Sequence, residues 1–405
     1  MLIEKKSSCK KHVLICIDRV TFSFKFDFIH NVYINNADIQ LLYAIRTNIN
    51  QINQPNMKLN SLLTLILLTL FSCQSKTGKY VCEPCDLPCD ELTFNVAGIC
   101  PHCKMDLIKK SALIPEKELI LNEINIQNGS GKFLIEGSFK EEKTIVIHYY
   151  KPQGLKPESP VIIVLPGAGR NGDDYRDAWI EKSKKYNVLV LSPEYSEKNY
   201  PEFWNYNLAG MYKDVKINKE RTAILSFKVS SNPEEWIFND FDRVFDSVKQ
   251  SLNLKTNTYD MFGHSAGGQV LHRFSIFNPN NKANRILAAN SGWYTLPTDS
   301  DKFPYGLEGT IQSAEKIEYS SNLILFLGEK DDENEKRGSL RRSTEADKQG
   351  LGRLSRGVYF YHTSKDIASE FNKEFNWKLE IIPNIGHDFR EMSKAAADYL
   401  YKVEK

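Results

Sequence analysis

At 405 residues, 41 % of them apolar, the chain can hold one large domain with a buried core and a small second module. A formal charge of +2 is close to neutral and gives no case for nucleic acid or for a strongly acidic partner. The chain has eight cysteines, all at or before Cys103, so everything beyond must fold and act without disulfides or thiol chemistry.

The front of the chain contains an export pattern. From residue 57 it reads MKLNSLLTLILLTLFSCQSKTG, a lysine, an apolar run over 62–71, then Ser72 and Cys73. That is the charged, apolar, small-residue order of a secretory leader over 57–73. Its apolar run is half the ~20 residues a spanning helix needs, so a protein anchor is not expected. The ending Leu70-Phe71-Ser72-Cys73 resembles the lipobox of bacterial lipoproteins. The resemblance implies lipidation of Cys73 and a place in the bacterial cell envelope, lipid-anchored to the periplasm-facing outer membrane. Residues 1–56 precede the leader and show no periodicity. They are expected to be a disordered upstream extension, from a start assigned too early; a real N-terminal extension is the alternative.

A cysteine module follows over 79–110, YVCEPCDLPCDELTFNVAGICPHCKMDLI at its heart. Cys82 and Cys85 form one C-x2-C pair, and Cys100 and Cys103 another. Two such pairs let four thiolates converge on one tetrahedral ion, which suits structural Zn²⁺. A module this short cannot build its own core, so the metal would supply folding energy. Gly98 is the expected return of the hairpin between the pairs. The ending CPHCKMDL resembles the heavy-metal-binding ribbons attached to bacterial envelope proteins, with Lys104 where they carry Gly. The extra Cys89 leaves the choice of four sulfurs open, and disulfides are the alternative in an oxidising compartment.

From about residue 113 to 405 the pattern changes. FLIEGS and KTIVIHYYKP alternate like antiparallel edge strands. PVIIVLPGAG, NVLVLSPEY, TYDMFG, RILAANSG, NLILFLGEKD and KLEIIPN are continuous apolar runs, as in strands buried on both faces of a parallel sheet. Between them, NDFDRVFDSVKQSL places Phe241, Val244, Phe245, Val248 and Leu252 on one helical face. The expected class is α/β, a mostly parallel sheet with helices on both faces, with its site at the C-terminal strand ends.

The chemically suggestive residues fall at those ends. YDMFGHSAGGQ carries Gly263-His264-Ser265-Ala266-Gly267, a G-x-S-x-G elbow between a strand and a helix. Such a turn exposes the Ser265 hydroxyl and aims a helix N-terminus at developing negative charge. Serine needs a base, and IIPNIGHDF supplies His387 after a strand. The base needs a carboxylate, and LILFLGEKDDEN supplies Asp331, with Asp332 as rival. The glycine-rich VLPGAGRNGDDY after an early strand suits an oxyanion hole, with donors assigned to Ala168 and Ala266 N–H. His264 is expected to pack, and His148 to be an ordinary strand residue. The aromatics of YPEFWNYN with Trp293 and Tyr294 could be pocket or core. The arginine-rich run over 336–357 is expected to be a solvated helix face.

The order Ser265, Asp331, His387 resembles the α/β-hydrolase fold over residues 113–405. The loop VLPGAGRNG is similar to the H-G-G-G-x-N loop of feruloyl-esterase and polyhydroxyalkanoate-depolymerase relatives, with Pro166 in the histidine's place. The resemblance implies a serine esterase without a catalytic cofactor, acting on a small or polymeric ester. A serine peptidase on the same fold is one alternative; a metal-binding envelope lipoprotein with an inactive hydrolase domain is another.

Overall fold

The computed structural model describes residues 11–17, 20–26, 80–82, 92–102, 105, 107–109, 119–138, 143–219 and 224–402. The chain divides into two compact units, Met1–Glu116 and Lys117–Lys405. In the first, Lys11–Ile17 and Val20–Phe26 pair as an antiparallel hairpin, within a stretch expected from sequence to lack order. Their β-branched and aromatic content suits a pleated ladder. Further on, Thr93–Phe94, Tyr80–Cys82 and Leu107–Lys109 form a three-stranded sheet in that order. Gly98, at φ 156°, accepts the Leu107 N–H through its carbonyl at 2.7 Å.

The second unit is built on eight strands: β1 (Gly129–Glu136), β2 (Thr144–Lys151), β3 (Val161–Leu165), β4 (Leu189–Glu194), β5 (Tyr259–His264), β6 (Ala283–Ala289), β7 (Leu323–Gly328) and β8 (Lys378–Ile382). Their order across the sheet is β8-β7-β6-β5-β3-β4-β2-β1. Only β2 runs against its neighbours, pairing antiparallel with β1 and β4. A side hairpin, Tyr212–Ile217 with Ile224–Val229, stands apart from this sheet.

Because side chains alternate across a strand, each continuous apolar run feeds two cores. Val161, Ile163 and Leu165 of β3 face one; Ile162 and Val164 face the other. Likewise β7 sends Leu323, Leu325 and Leu327 one way and Ile324 and Phe326 the other. Helices cover both faces. On the first lie α3 (Phe238–Leu252), through Phe241, Val244, Phe245 and Val248, and α4 (Ala266–Phe277). The stripe read from sequence is thus the buried face of α3, which ends at Asn253 in the left-handed region. On the other face lies α7 (Phe389–Tyr401), through Met392, Ala396, Ala397 and Leu400, beside α2 (Ile180–Tyr186). The short α1 (Gly172–Asp177) and α5 (Thr344–Lys348) and the long α6 (Arg353–Glu370) complete the unit. Strand order reverses beside β3, between β4 and β5, which opens a crevice at their C-terminal ends.

Candidate active site

Ser265 occupies the turn from β5 into α4, at φ 56° and ψ −113°. A residue with a side chain holds such a backbone only at a cost of about 1–3 kcal/mol, met by its surroundings. Ser265 N–H donates to the Ala289 carbonyl at 2.9 Å, and Ser265 O accepts from Gln269 N–H at 3.0 Å. The glycines are steric necessities. A Cβ on Gly263 would stand 2.5 Å from Gly267 O, and one on Gly267 would stand 2.3 Å from Leu165 O. Gly268, which the motif did not single out, is equally confined: its Cβ would lie 2.6 Å from Ala289 O.

His387 sits in the loop between β8 and α7. Its position is set by the next residue, because the Asp388 side chain caps α7, accepting from Arg390 and Glu391 N–H. The imidazole Nε2 lies 3.2 Å from Ser265 Oγ, and Nδ1 lies 2.7 Å from Asp331 Oδ2. Asp331 is wholly buried after β7. The rival Asp332 serves its own turn, accepting Asn334 N–H at 2.8 Å. The structure thus brings together three residues that lie 56 and 66 positions apart along the chain, with Asp331 rather than Asp332 as the carboxylate at the imidazole.

Several supports of this arrangement carry no local signal in the sequence. Asn290 ties the histidine loop to the end of β7, donating to Gly386 O at 3.1 Å and accepting Gly328 N–H at 2.8 Å. Glu335 accepts the His387 backbone N–H at 2.8 Å. The Arg337 guanidinium, paired to Glu335 at 2.7 Å, holds that carboxyl well below the usual carboxylate range. Arg353 Nη1 lies 3.1 Å from the second oxygen of Asp331. His264 packs as expected, its ring 4.5 Å from that of His387 and its Nδ1 3.3 Å from Tyr175 Oη. Burial, then the neighbouring His387, drives its pKa far below the ordinary value, so it is neutral and no rival base.

The loop after β3 lies against the nucleophile, since a Cβ on Gly167 would stand 3.6 Å from Ser265 Cβ. Ala168 is exposed and its N–H has no acceptor among the described residues. Ala266 opens α4, where N–H groups have no intrahelical partner. With Pro166 in place of histidine, other groups hold this loop. Tyr206 Oη donates to Pro166 O at 2.6 Å, and Arg170 Nη1 and Nη2 donate to Tyr195 O at 3.0 Å and Glu202 O at 2.8 Å. The aromatic stretch is core: Tyr200, Trp204, Tyr206, Trp293 and Tyr294 are all buried. His148 pairs with Glu194 at 2.7 Å, between β2 and β4 of the sheet.

The arginine-rich run differs from expectation. It is no single solvated helix face, because Arg353 and Arg356 are buried at the start of α6, against Asp331 and Asp347. Alternating exposed and buried arginines cannot be told apart by composition, since burial here is set by acids distant in sequence. Of the cysteine module, Cys85 and Cys103 lie outside the described residues, as does Cys73, and only the strand backbone of Cys82 is described. Cys100 is buried, and its N–H donates to Met105 O at 2.7 Å. Among the described residues no cluster of three metal-binding side chains occurs, and no helix is long and apolar enough to cross a membrane.

The sequence matches no protein-family model and no curated protein. Among solved structures it is similar to poly(aspartic acid) hydrolase-1 from Sphingomonas sp. KT-1, at 36 % identity and TM-score 0.61, over 69 % of this chain and 100 % of that one. The chain belongs to the α/β-hydrolase family. The hydrolase is also similar to LpqC, a poly(3-hydroxybutyrate) depolymerase from Bordetella parapertussis, at 26 % identity and TM-score 0.60, over 68 % of this chain and 90 % of that one. Both similarities fit the mostly parallel sheet with helices on its two faces.

Proposed function

We propose that the hydrolase cleaves carboxylic esters through an acyl-enzyme. Ser265 Oγ attacks the carbonyl carbon while His387 Nε2 takes its proton. The tetrahedral oxyanion is held by Ala168 and Ala266 N–H, a donor of this kind being worth about 3 kcal/mol. The imidazolium then protonates the leaving alcohol, and water, activated by the same base, releases the acid and restores Ser265. Asp331 holds the tautomer with Nδ1 protonated. The observation that carries this reading is the unbroken chain of contacts, 3.2 Å from Oγ to Nε2 and 2.7 Å from Nδ1 to Oδ2. The test is hydrolysis of short p-nitrophenyl esters by the full chain and by Ser265→Ala. A rate unchanged in that variant ends the mechanism.

A second reading is cleavage of amide bonds in an acidic polymer. It is favoured by the 36 % identity to a poly(aspartic acid) hydrolase and by Arg341. That exposed guanidinium donates through Nε to Tyr305 Oη at 2.8 Å and has no carboxylate partner among the described residues. Release of fragments from polyaspartate, without ester turnover, would select it. For the rest of the chain we propose an envelope lipoprotein anchored at Cys73, its ribbon holding structural Zn²⁺ through Cys82, Cys85, Cys100 and Cys103. Absence of zinc from protein purified under reducing conditions would overturn the ribbon assignment.

A further inference from the structure

Arg353, first residue of α6, is 2 % exposed. Its Nη1 meets Asp331 Oδ1 at 3.1 Å, while the other oxygen of the same carboxylate meets His387 Nδ1 at 2.7 Å. One buried carboxylate is therefore shared between a permanent cation and a titratable one. The helix start reinforces the contact. Leu354 N–H donates to Asp331 O at 2.8 Å, and a Cβ on Gly352 would stand 2.4 Å from the Asp332 carbonyl carbon, so α6 begins pressed onto the Asp331 turn. The N-terminus of an 18-residue helix, its positive end, thus starts at that turn.

The remaining nitrogens of Arg353 are unusual. Nε and Nη2 are buried and find no hydrogen-bond partner. A Cβ on Gly338 would stand 3.2 Å from Nη2 and 3.1 Å from His387 Nε2, so the guanidinium and the imidazole both border that one glycine. Leaving two donors unpaired in the interior costs free energy, and a purely structural cation would gain by turning them to water. What this geometry does supply is charge at Asp331.

Consider the resting enzyme. His387 must be uncharged to act as a base, yet Asp331 beside it is fully buried and must stay anionic to orient the ring. A buried anion with only a neutral partner is costly, and such a pair would take up a proton to become a neutral ion pair. A fixed cation on the far oxygen removes that drive. We propose that Arg353 is a positioning residue of the hydrolytic site, the permanent counter-charge that lets Asp331 stay ionised beside an uncharged His387. The other groups facing the imidazole do not supply it. Ser265 and the buried His264 are neutral. Glu335 accepts the His387 backbone N–H and is neutralised by Arg337, which also pairs with Asp388 at 3.1 Å.

The inference rests on the Ser265–His387–Asp331 reading above, and its test separates the two. Wild type, Arg353→Gln and Arg353→Lys, as full chains, are assayed for kcat/KM on p-nitrophenyl butyrate across pH 4–9. In Arg353→Gln a donor to Asp331 is kept and the charge is lost. Its acid limb is expected to move up by about one pH unit, the low end of what a neighbouring charge does to a pKa. Arg353→Lys keeps the charge and loses the planar fork, so its limb stays within about 0.3 unit of wild type while kcat falls. A merely structural arginine would lower activity at every pH and leave both limbs in place, which overturns the proposal. Should Arg353→Gln not fold, the charge-free comparison is read in Arg353→Met, where an undisplaced acid limb overturns the proposal and an upward move supports it. Titration of the His387 ring protons by NMR in Ser265→Ala, with and without Arg353→Gln, reads the same shift without turnover. Hydrolysis by Ser265→Ala at the wild-type rate would instead remove the underlying reading.

Discussion

Gly267→Ala is the most demanding test of how the elbow is built. The added methyl carbon would lie 2.3 Å from Leu165 O and 2.8 Å from both Leu165 C and Pro166 O. All three are backbone atoms at the end of β3, so no side-chain rotation relieves the clash. A carbon–oxygen contact settles at about 3.3–3.6 Å, so roughly 1 Å of separation must be found. Either the β3 loop carrying Ala168 retreats from Ser265 or the start of α4 tilts. Overpacking of this kind costs about 1–3 kcal/mol of stability. A misplacement of about 1 Å between nucleophile and oxyanion donors is worth about 100-fold in rate. The measurement is kcat/KM on p-nitrophenyl butyrate beside a thermal melt of the same preparation. A folded variant within about threefold of wild type would refute the claim that this contact sets the distance between loop and nucleophile.

Asp331→Asn is expected to lower kcat about 10⁴-fold with the fold intact, as for an acid that fixes a catalytic histidine, whereas Asp332→Asn stays within about threefold of wild type. Equal losses in the two variants would contradict the assignment of Asp331. For Glu335 the sign follows from its depressed pKa. The stability it contributes is fully present above the unfolded value, about 4.3, and is lost as pH falls below that toward the folded one. The melting-temperature gap between wild type and Glu335→Gln should therefore hold constant above about pH 5 and narrow toward pH 2.5, and a constant gap over that range would contradict the coupling.

How much of this was legible in the residues depends on the range over which each cause acts. The strands of the large unit announced themselves as short apolar runs, and α3 as a stripe at helical spacing, because those signals are local periodicities. Ser265 was legible for the same reason: a strand, a tight turn and a helix within eleven residues leave room only for glycine two positions to either side of the serine. His387 and Asp331 could be named from their places after strands, since a parallel sheet collects its strand ends along one edge.

Tertiary structure alone decided which groups stand behind them. Nothing near Arg353 marks it as the partner of Asp331, 22 positions earlier, and the same composition read as a solvated face. Asn290, Glu335 and Tyr206 act through hydrogen bonds to loops 96, 52 and 40 residues away. Sequence determines local geometry because neighbouring backbone and side-chain sterics are fixed by covalent connection. Charge compensation and loop anchoring are fixed by burial instead, and burial exists only once the sheet has brought distant segments into one interior.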